Sequence, residues 1–388
     1  MTRMTGGQAL VKSLKQNGID TLFCIPGVQL DHFFNALYDE GNSIRVIHNR
    51  HEQGCAYMAF GYAISTGKVG AYAVVPGPGL LNSSAALSTA YACNAPVLCV
   101  AGQVPTDLIG RGSGSHHEIP DQLGVLKSLT KWAERIEHPA DAPRQVNEAF
   151  GQLERGRVRP VGLEMAPDVL PLSAEVDLLD AMPTQAPAEP DPDLIEQAAK
   201  MLGKAENPMI SVGGGIFGAE AELLTLAEML QAPVNMSRNA RGAVDDRHHL
   251  GVRESLGNKL WADADVVLAV GTRLFEQYRS WGVGGLKIIH LDIDPSELKR
   301  HQRPTLGIVS DARLGLAALV ERTAAHNRKR LSRKDEINAM KAALQIEYDK
   351  IQPQMDYVKV LREELPEDGF VVGESTQLAY AVRIGMPF

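Results

Sequence analysis

The sequence predicts an α/β protein whose parallel sheets are doubly wound. Short apolar runs alternate with stretches of helical pattern, and the connections between them are short and marked by glycine or proline. A strand, a helix and a further strand in that order require a crossover, and crossovers build parallel sheets covered by helices on both faces. The composition agrees, since 388 residues at 44% hydrophobic and 22% charged supply two or three domains with cores of their own.

A net charge of −8 gives no general attraction to nucleic acid or to an anionic membrane. No apolar run reaches membrane-spanning length, and Met1 to Gly18 lacks the layout of a secretory leader, so a cytoplasmic location is expected. The four cysteines, Cys24, Cys55, Cys93 and Cys99, sit among apolar neighbours at spacings that suit neither zinc nor a disulfide framework. Buried free thiols are expected.

Thr5 to Gln8 reads as a capping box opening a helix whose face is Leu10, Val11 and Leu14 and whose stop is Gly18. Thr21 to Ile25 is a strand running into Pro26-Gly27, followed by a helix through Phe33, Phe34 and Leu37. The apolar run at Ile44 to Ile47 leads to Arg50-His-Glu-Gln-Gly54 and a helix stopped by Gly67. From Gly54 to Ile64 that helix is small or apolar on every face, which predicts burial on all sides. Its first turn nevertheless carries Glu52. A carboxylate there either caps the helix and favours its dipole or has a chemical task.

Next come the strand Val69 to Val75, the turn Pro76 to Gly79, a helix from Leu80 to Cys93 and the strand Pro96 to Ala101. Ligands of such sheets bind outside the carboxyl ends of the strands, where Pro26-Gly27, Glu52, Gly77-Pro78-Gly79 and the loop after Gly102 would gather. That loop, Gly102 to Gln122, is long and glycine-rich, and loops of this length usually carry function or are disordered. His116, His117 and Glu118 within it are candidates for acid–base groups, metal ligands or solvated residues; with no second cluster at ligand spacing, no metal site is expected. A helix at Arg144 to Arg155 and a strand at Val161 to Met165 close the first domain.

Pro167 to Pro192 reads as an interdomain linker. A second alternating block follows, with a helix at Leu194 to Leu202 and strands at Met209 to Val212, near Val234, at Val266 to Val270 and at Lys287 to Ile293. Gly213 to Gly218 fits G-x-G-x-x-G between strand and helix, yet no acid ends the next strand to hold a ribose. It is a dinucleotide turn or a glycine turn for close packing. The charged segment from 323, with Arg328-Lys-Arg330, reads as a solvated connecting helix. A helix through Leu361 and Leu365 and a strand Phe370 to Val372 then lead into Gly373-Glu-Ser-Thr-Gln377.

Taken together, Ile25-Pro26-Gly27, Arg50-His-Glu-Gln-Gly54, Gly61-Tyr-Ala with Thr66-Gly-Lys68, Gly77-Pro-Gly with Asn82, and Leu291-Asp-Ile-Asp-Pro295 resemble, in this order, thiamine-diphosphate-dependent enzymes of the acetolactate synthase and 2-oxoacid decarboxylase group. The resemblance implies a pyrimidine-binding domain at 1–170, a Rossmann-like central domain at 190–322, a linker at 323–356 and the beginning of a diphosphate-binding domain at 357–388, with the natural protein continuing further. It implies decarboxylation of a 2-oxo acid, followed by protonation of the enamine or by carboligation. Glu52 would hydrogen-bond N1′ of the aminopyrimidine. Pro26, Gly27, Gly77, Pro78 and Asn82 would line the pyrimidine side, and Ser375 and Thr376 would meet the diphosphate.

His116, His117 or Gln122 would face the substrate; His117-Glu118 stands where acetolactate synthases have Phe-Gln. Magnesium would have its ligands outside this chain. FAD is admitted by the central domain of the group, but Leu274 to Ser280 lacks the acidic pair expected for it, so its absence is expected. The resemblance also implies a homodimer or homotetramer with shared active sites. Two alternatives differ in class: an oxidoreductase using Gly213 to Gly218, and a non-catalytic assembly relative, which departures such as Phe60 and Val75-Pro76 would suit.

Overall fold

A computed structural model describes residues 1–183 and 185–388. The chain divides into two compact units, Met1–Ala186 and Pro187–Phe388.

The first unit opens with β1 (Thr2–Thr5) and α1 (Gly6–Gln16). The capping box forms as expected: the Gln8 amide donates to Thr5 Oγ1 at 3.2 Å and the Thr5 amide to Gln8 Oε1 at 3.0 Å. Then come β2 (Thr21–Cys24), α2 (Asp31–Asp39), β3 (Arg45–His48), α3 (Glu52–Thr66), β4 (Gly70–Val74), α4 (Pro78–Cys93) and β5 (Val97–Gly102). After the long loop follow α5 (Gln122–Leu129), β6 (Trp132–Ile136), α6 (Ala142–Glu154), β7 (Val161–Met165) and β8 (Ser173–Val176). Six strands form a parallel sheet in the order β3-β2-β4-β5-β7-β6. Every residue of β4, β5 and β7 is buried, which is why these strands are short and mainly apolar, Glu164 on β7 excepted. The chain leaves β2 toward β3 on one side and returns to β4 on the other. The topological switch point, where such sheets bind ligands, therefore lies between the ends of β2 and β4.

Two expectations about this unit are corrected. The segment expected as a linker, 167–192, contains β8, because Ser173–Val176 pairs antiparallel with Thr2–Thr5 at the chain's start. A partner so distant in sequence leaves no local signal. Second, α3 is not buried on all sides. Cys55, Ala56, Ala59 and Ala63 are buried, whereas Gln53, Tyr57, Gly61 and Ile64 face outward, Tyr57 at 38% and Ile64 at 58% exposure. One sheet face and one neighbouring helix cover only one stripe of a helix.

The second unit comprises α7 (Pro192–Lys204), β9 (Pro208–Val212), α8 (Glu220–Leu230), β10 (Val234–Met236), β11 (Gly251–Val252), α9 (Glu254–Trp261), β12 (Val266–Val270), β13 (Lys287–Asp292), β14 (Leu306–Val309), α10 (Ala312–Thr323), α11 (Lys334–Tyr348), α12 (Gln354–Glu364) and α13 (Gln377–Gly385). Its parallel sheet runs β11-β10-β9-β12-β13-β14. Arg328-Lys-Arg330 precedes α11 rather than lying in a solvated helix. Arg330 donates to the carbonyls of Leu202 and Ala205 at 2.9 and 2.8 Å, satisfying the carbonyl end of α7.

The C-terminal stretch is built into this unit. The Asp246 amide donates to the Phe388 carbonyl at 2.8 Å, and Arg383 pairs with Glu254 at 2.6 Å. Phe370–Val372 is not a strand: it is exposed, and among the described residues no strand pairs with it. Among the described residues no helix is long and apolar enough to cross a membrane.

Candidate active site

Four strand ends of the first unit carry the predicted residues. After β2, Gly27 approaches the β4 turn so closely that a Cβ on it would lie 2.3 Å from Val75 Cγ1. After β4, Gly77 takes φ +56° and ψ −112°, a conformation that favours glycine, and it starts α4 with Pro78 behind it. A Cβ on Gly77 would also stand 2.3 Å from the His117 carbonyl oxygen, so the long loop is laid across this turn. After β5, Gly102 packs against Pro76, Leu30 and Gln29. The loop thus closes over the switch point.

Glu52 lies at the start of α3, after β3. It does not cap the helix, because His51 does so through Nδ1, which accepts from the Gln53 amide at 3.1 Å. The Glu52 carboxylate instead accepts from Asn82 Nδ2 at 3.0 Å, on the first turns of α4. The acid and the amide come from separate helices and meet at one point. Glu52 is half-buried, not enclosed as the apolar helix had suggested, because the outward face of α3 is open.

His116 and His117 stack with ring centroids 3.8 Å apart. His117 has φ +69°, and its Nδ1 is buried without a hydrogen-bond partner among the described residues. Burial, and next the neighbouring His116, hold its pKa below the ordinary 6.5, while the Glu52 carboxylate opposes them. The charged form of His117 is therefore disfavoured, and the ring lies within electrostatic range of Glu52. Pro26 and Pro78 are exposed at the rim.

Gln122 is placed differently from the expectation that it faces substrate. It is 2% exposed and its amide is fully used: Oε1 accepts from the Gly77 amide at 2.8 Å, and Nε2 donates to the Gly102 carbonyl at 2.8 Å and to Glu164 at 2.9 Å. Glu118 likewise serves the loop. It accepts from the amides of Gly112, Ser113 and Ser115 at 2.8 to 3.2 Å, and these bonds, that of Ser115 first, hold its carboxyl below the usual range. Ser375 and Thr376 belong to the second unit and are exposed, and Thr376 Oγ1 caps α13 by accepting from the Ala379 amide.

Sequence inspection overlooked Glu164, a wholly buried carboxylate on β7, and Arg135 beside it. The signal was present: an acid in the middle of an otherwise apolar parallel strand, Val-Gly-Leu-Glu-Met. Among the described residues no three His, Cys, Asp or Glu side chains gather to hold a metal ion.

The glycine turn of the second unit fits the packing alternative. A Cβ on Gly213 would lie 2.3 Å from the Gly271 carbonyl oxygen, so the turns after β9 and β12 touch through backbone. Of the motif's amides, that of Gly215, where a pyrophosphate would be approached, donates to the Gly271 carbonyl at 3.2 Å, and that of Gly218 donates to the Glu220 carboxylate at 3.0 Å. That acid at the start of α8 repels an anion there.

A helix-start glutamate, its amide partner and two closely approached glycine turns meet at the switch point, which defines the class: a doubly wound α/β domain of the kind that binds ligands at this edge. Comparison with known proteins is specific. Residues 4–125 match the thiamine pyrophosphate enzyme N-terminal TPP binding domain, and residues 195–319 match the thiamine pyrophosphate enzyme central domain. An acetolactate synthase of Arthrospira platensis is 34% identical over 85% of this chain and 60% of its own length. A probable acetolactate synthase large subunit of Methanocaldococcus jannaschii is 33% identical over 94% of this chain and 64% of its own. The probable 2-ketoarginine decarboxylase AruI of Pseudomonas aeruginosa is 33% identical over 97% and 68% respectively. The chain belongs to the thiamine pyrophosphate enzyme family. It spans 60% to 68% of the length of these three relatives.

Proposed function

We propose that the complete protein is a thiamine-diphosphate-dependent lyase or transferase that decarboxylates a 2-oxo acid and either protonates the product or joins it to a second carbonyl compound. The observation that carries this reading is Glu52 at the switch-point edge, held by Asn82. The residues present suit the cofactor. Gly27 and Gly77 let the turns after β2 and β4 and the long loop approach one another closely at this edge, and Gly77-Pro78 begins the helix that presents Asn82 to Glu52. When bound, thiamine diphosphate supplies a thiazolium carbon that adds to a carbonyl and accepts the electrons released with carbon dioxide.

The chain's own residues hold and tune it. Glu52 hydrogen-bonds N1′ of the aminopyrimidine and holds or yields a proton there. Asn82 fixes one of its oxygens, so the other is aimed. Pro26, Gly27, Gly77 and Pro78 line the ring. His117, stacked on His116 and with its Nδ1 unpartnered among the described residues, offers a hydrogen bond to the 2-oxo acid. Ser375 and Thr376 are proposed at the diphosphate.

A carboxylate hydrogen bond is stronger when water is excluded. Half-buried Glu52 and the open, apolar Tyr57, Ile64 and Leu81 therefore favour a homodimer or homotetramer in which a partner subunit completes the site. Neither FAD nor a nicotinamide cofactor belongs to this proposal, since the Gly215 amide, where a pyrophosphate would be approached, is already bonded to the Gly271 carbonyl.

Calorimetric titration of the complete protein with thiamine diphosphate and magnesium tests the reading. A saturable heat is expected, and none at millimolar cofactor would overturn it.

A further inference from the structure

Glu164 has no role in the chemistry proposed above, yet it is a carboxylate at 0% exposure. Burying a charge costs free energy unless it is paired and hydrogen-bonded, and a well-packed apolar replacement is often no less stable. Stability alone gives a weak account of it. Its partners converge from three directions. Arg135, the residue opposite on β6, donates from Nε to Oε1 at 2.6 Å; Gln103, just past β5, donates from Nε2 to Oε1 at 3.2 Å; and Gln122 donates from Nε2 to Oε2 at 2.9 Å.

We infer that Glu164 is a positioning residue: by fixing which way the buried Gln122 amide points, it sets the Gly77 turn and with it the start of α4, which presents Asn82 to Glu52. An ionised carboxylate only accepts hydrogen bonds, so the Gln122 amino group must face it. The second hydrogen of that amino group goes to the Gly102 carbonyl at 2.8 Å, itself only an acceptor. The amide oxygen is thereby left toward the Gly77 amide, 2.8 Å away. Reversing the amide would set its oxygen against two acceptors and its donors against an N–H. One buried charge therefore selects one of two otherwise similar amide orientations. The backbone it steadies sits at φ +56°, a conformation that needs outside support. Gln103 is oriented in the same way, its Oε1 accepting from the Val104 amide at 2.8 Å while its donor meets Glu164.

The effect on the turn is independent of the thiamine diphosphate reading; the consequence for cofactor binding rests on it. The test is peptide-resolved amide hydrogen exchange over residues 75–83 of the complete protein without cofactor, comparing wild type with Glu164→Gln and Gln122→Met. The methionine variant leaves Glu164 with Arg135 and Gln103, so it keeps the charge paired. Both variants should speed exchange at Gly77 about tenfold, the equivalent of one lost hydrogen bond, while exchange in β4 and β5 stays at the wild-type rate. Both should also weaken thiamine diphosphate binding about tenfold in the same titration.

Unchanged exchange at Gly77 in a folded Gln122→Met protein would overturn the positioning role. Altered exchange with unaltered binding would overturn the link to the site. A wild type that binds no thiamine diphosphate would refute the functional proposal while leaving the exchange result to stand or fall by itself.

Discussion

Three glutamates of the first unit show how surroundings divide one side chain among three tasks. Glu118 accepts four nearby donors and folds the loop onto itself; Glu164 is buried and ion-paired and orients an amide; Glu52 has one protein partner and remains open to a ligand. Of the three, Glu52 is the one proposed to take part in chemistry.

His117 provides a direct electrostatic check. Its pKa, read by NMR titration, should lie below 6.5, because burial and then His116 disfavour its charge. His116→Ala should raise it and Glu52→Gln should lower it further. The unfolded chain binds the proton more readily, so His117 detracts from stability as pH falls from 6.5 toward its folded value. Gly77→Ala combines a strained backbone with a clash against a carbonyl, and should cost about 1–3 kcal/mol or more in chemical denaturation. A cost near zero would mean the turn is not as described. Glu52 and the glycines were legible in the sequence because a charge or a glycine stands out locally. Gln122 was misjudged because its partners, Gly77, Gly102 and Glu164, are distant in sequence.

At the scale of elements, α3 and α4 carry the proposed site, and the far end of α3 is anchored by ordinary surface interactions. Tyr62 and Lys68 both bond Asp20 at the entrance to β2, at 2.6 and 2.7 Å, and these bonds, that of Lys68 first, lower its pKa from 3.8 to about 2. A depressed acid contributes stability above its unfolded pKa and loses it as pH falls from about 4 to about 2. Lys68→Ala should therefore move the acid-unfolding midpoint upward, by a small amount since the pair is exposed. An unchanged midpoint would show that the pair contributes nothing. The alternating apolar runs made most strands and helices predictable. Trp132–Ile136 was missed because its centre, Glu134-Arg135, is polar, and Arg135 is tolerated there by Glu164 on the adjacent strand. Phe370–Val372 failed the other way, since an apolar run makes a strand only where a neighbour accepts its hydrogen bonds.

At the scale of the whole molecule, each unit has its own core. Leu226 on α8 is fully buried in that of the second, and Leu226→Ala should cost about 2–5 kcal/mol, seen as faster hydrogen exchange through β9 and β12. The same unit should show no spectral change with NADH, because the Gly271 carbonyl already takes the Gly215 amide and Glu220 places a negative charge at the start of α8. Binding at micromolar concentration would restore the dinucleotide alternative. The division into two doubly wound units was legible from strand–helix alternation and the proline-rich stretch between them. The attachment of the C-terminal helices to the second unit was not, since it depends on Arg383–Glu254 and Asp246–Phe388, pairs that only the folded chain brings together.

The central claim is that Glu52 activates a bound thiamine cofactor. The most direct measurement is carbon dioxide release from 2-oxo acids by the complete protein, saturated with thiamine diphosphate and magnesium, as wild type and as Glu52→Gln. The predicted result is a rate reduced about 10²–10⁴-fold in the variant with cofactor still bound. Equal rates in the two proteins would contradict it.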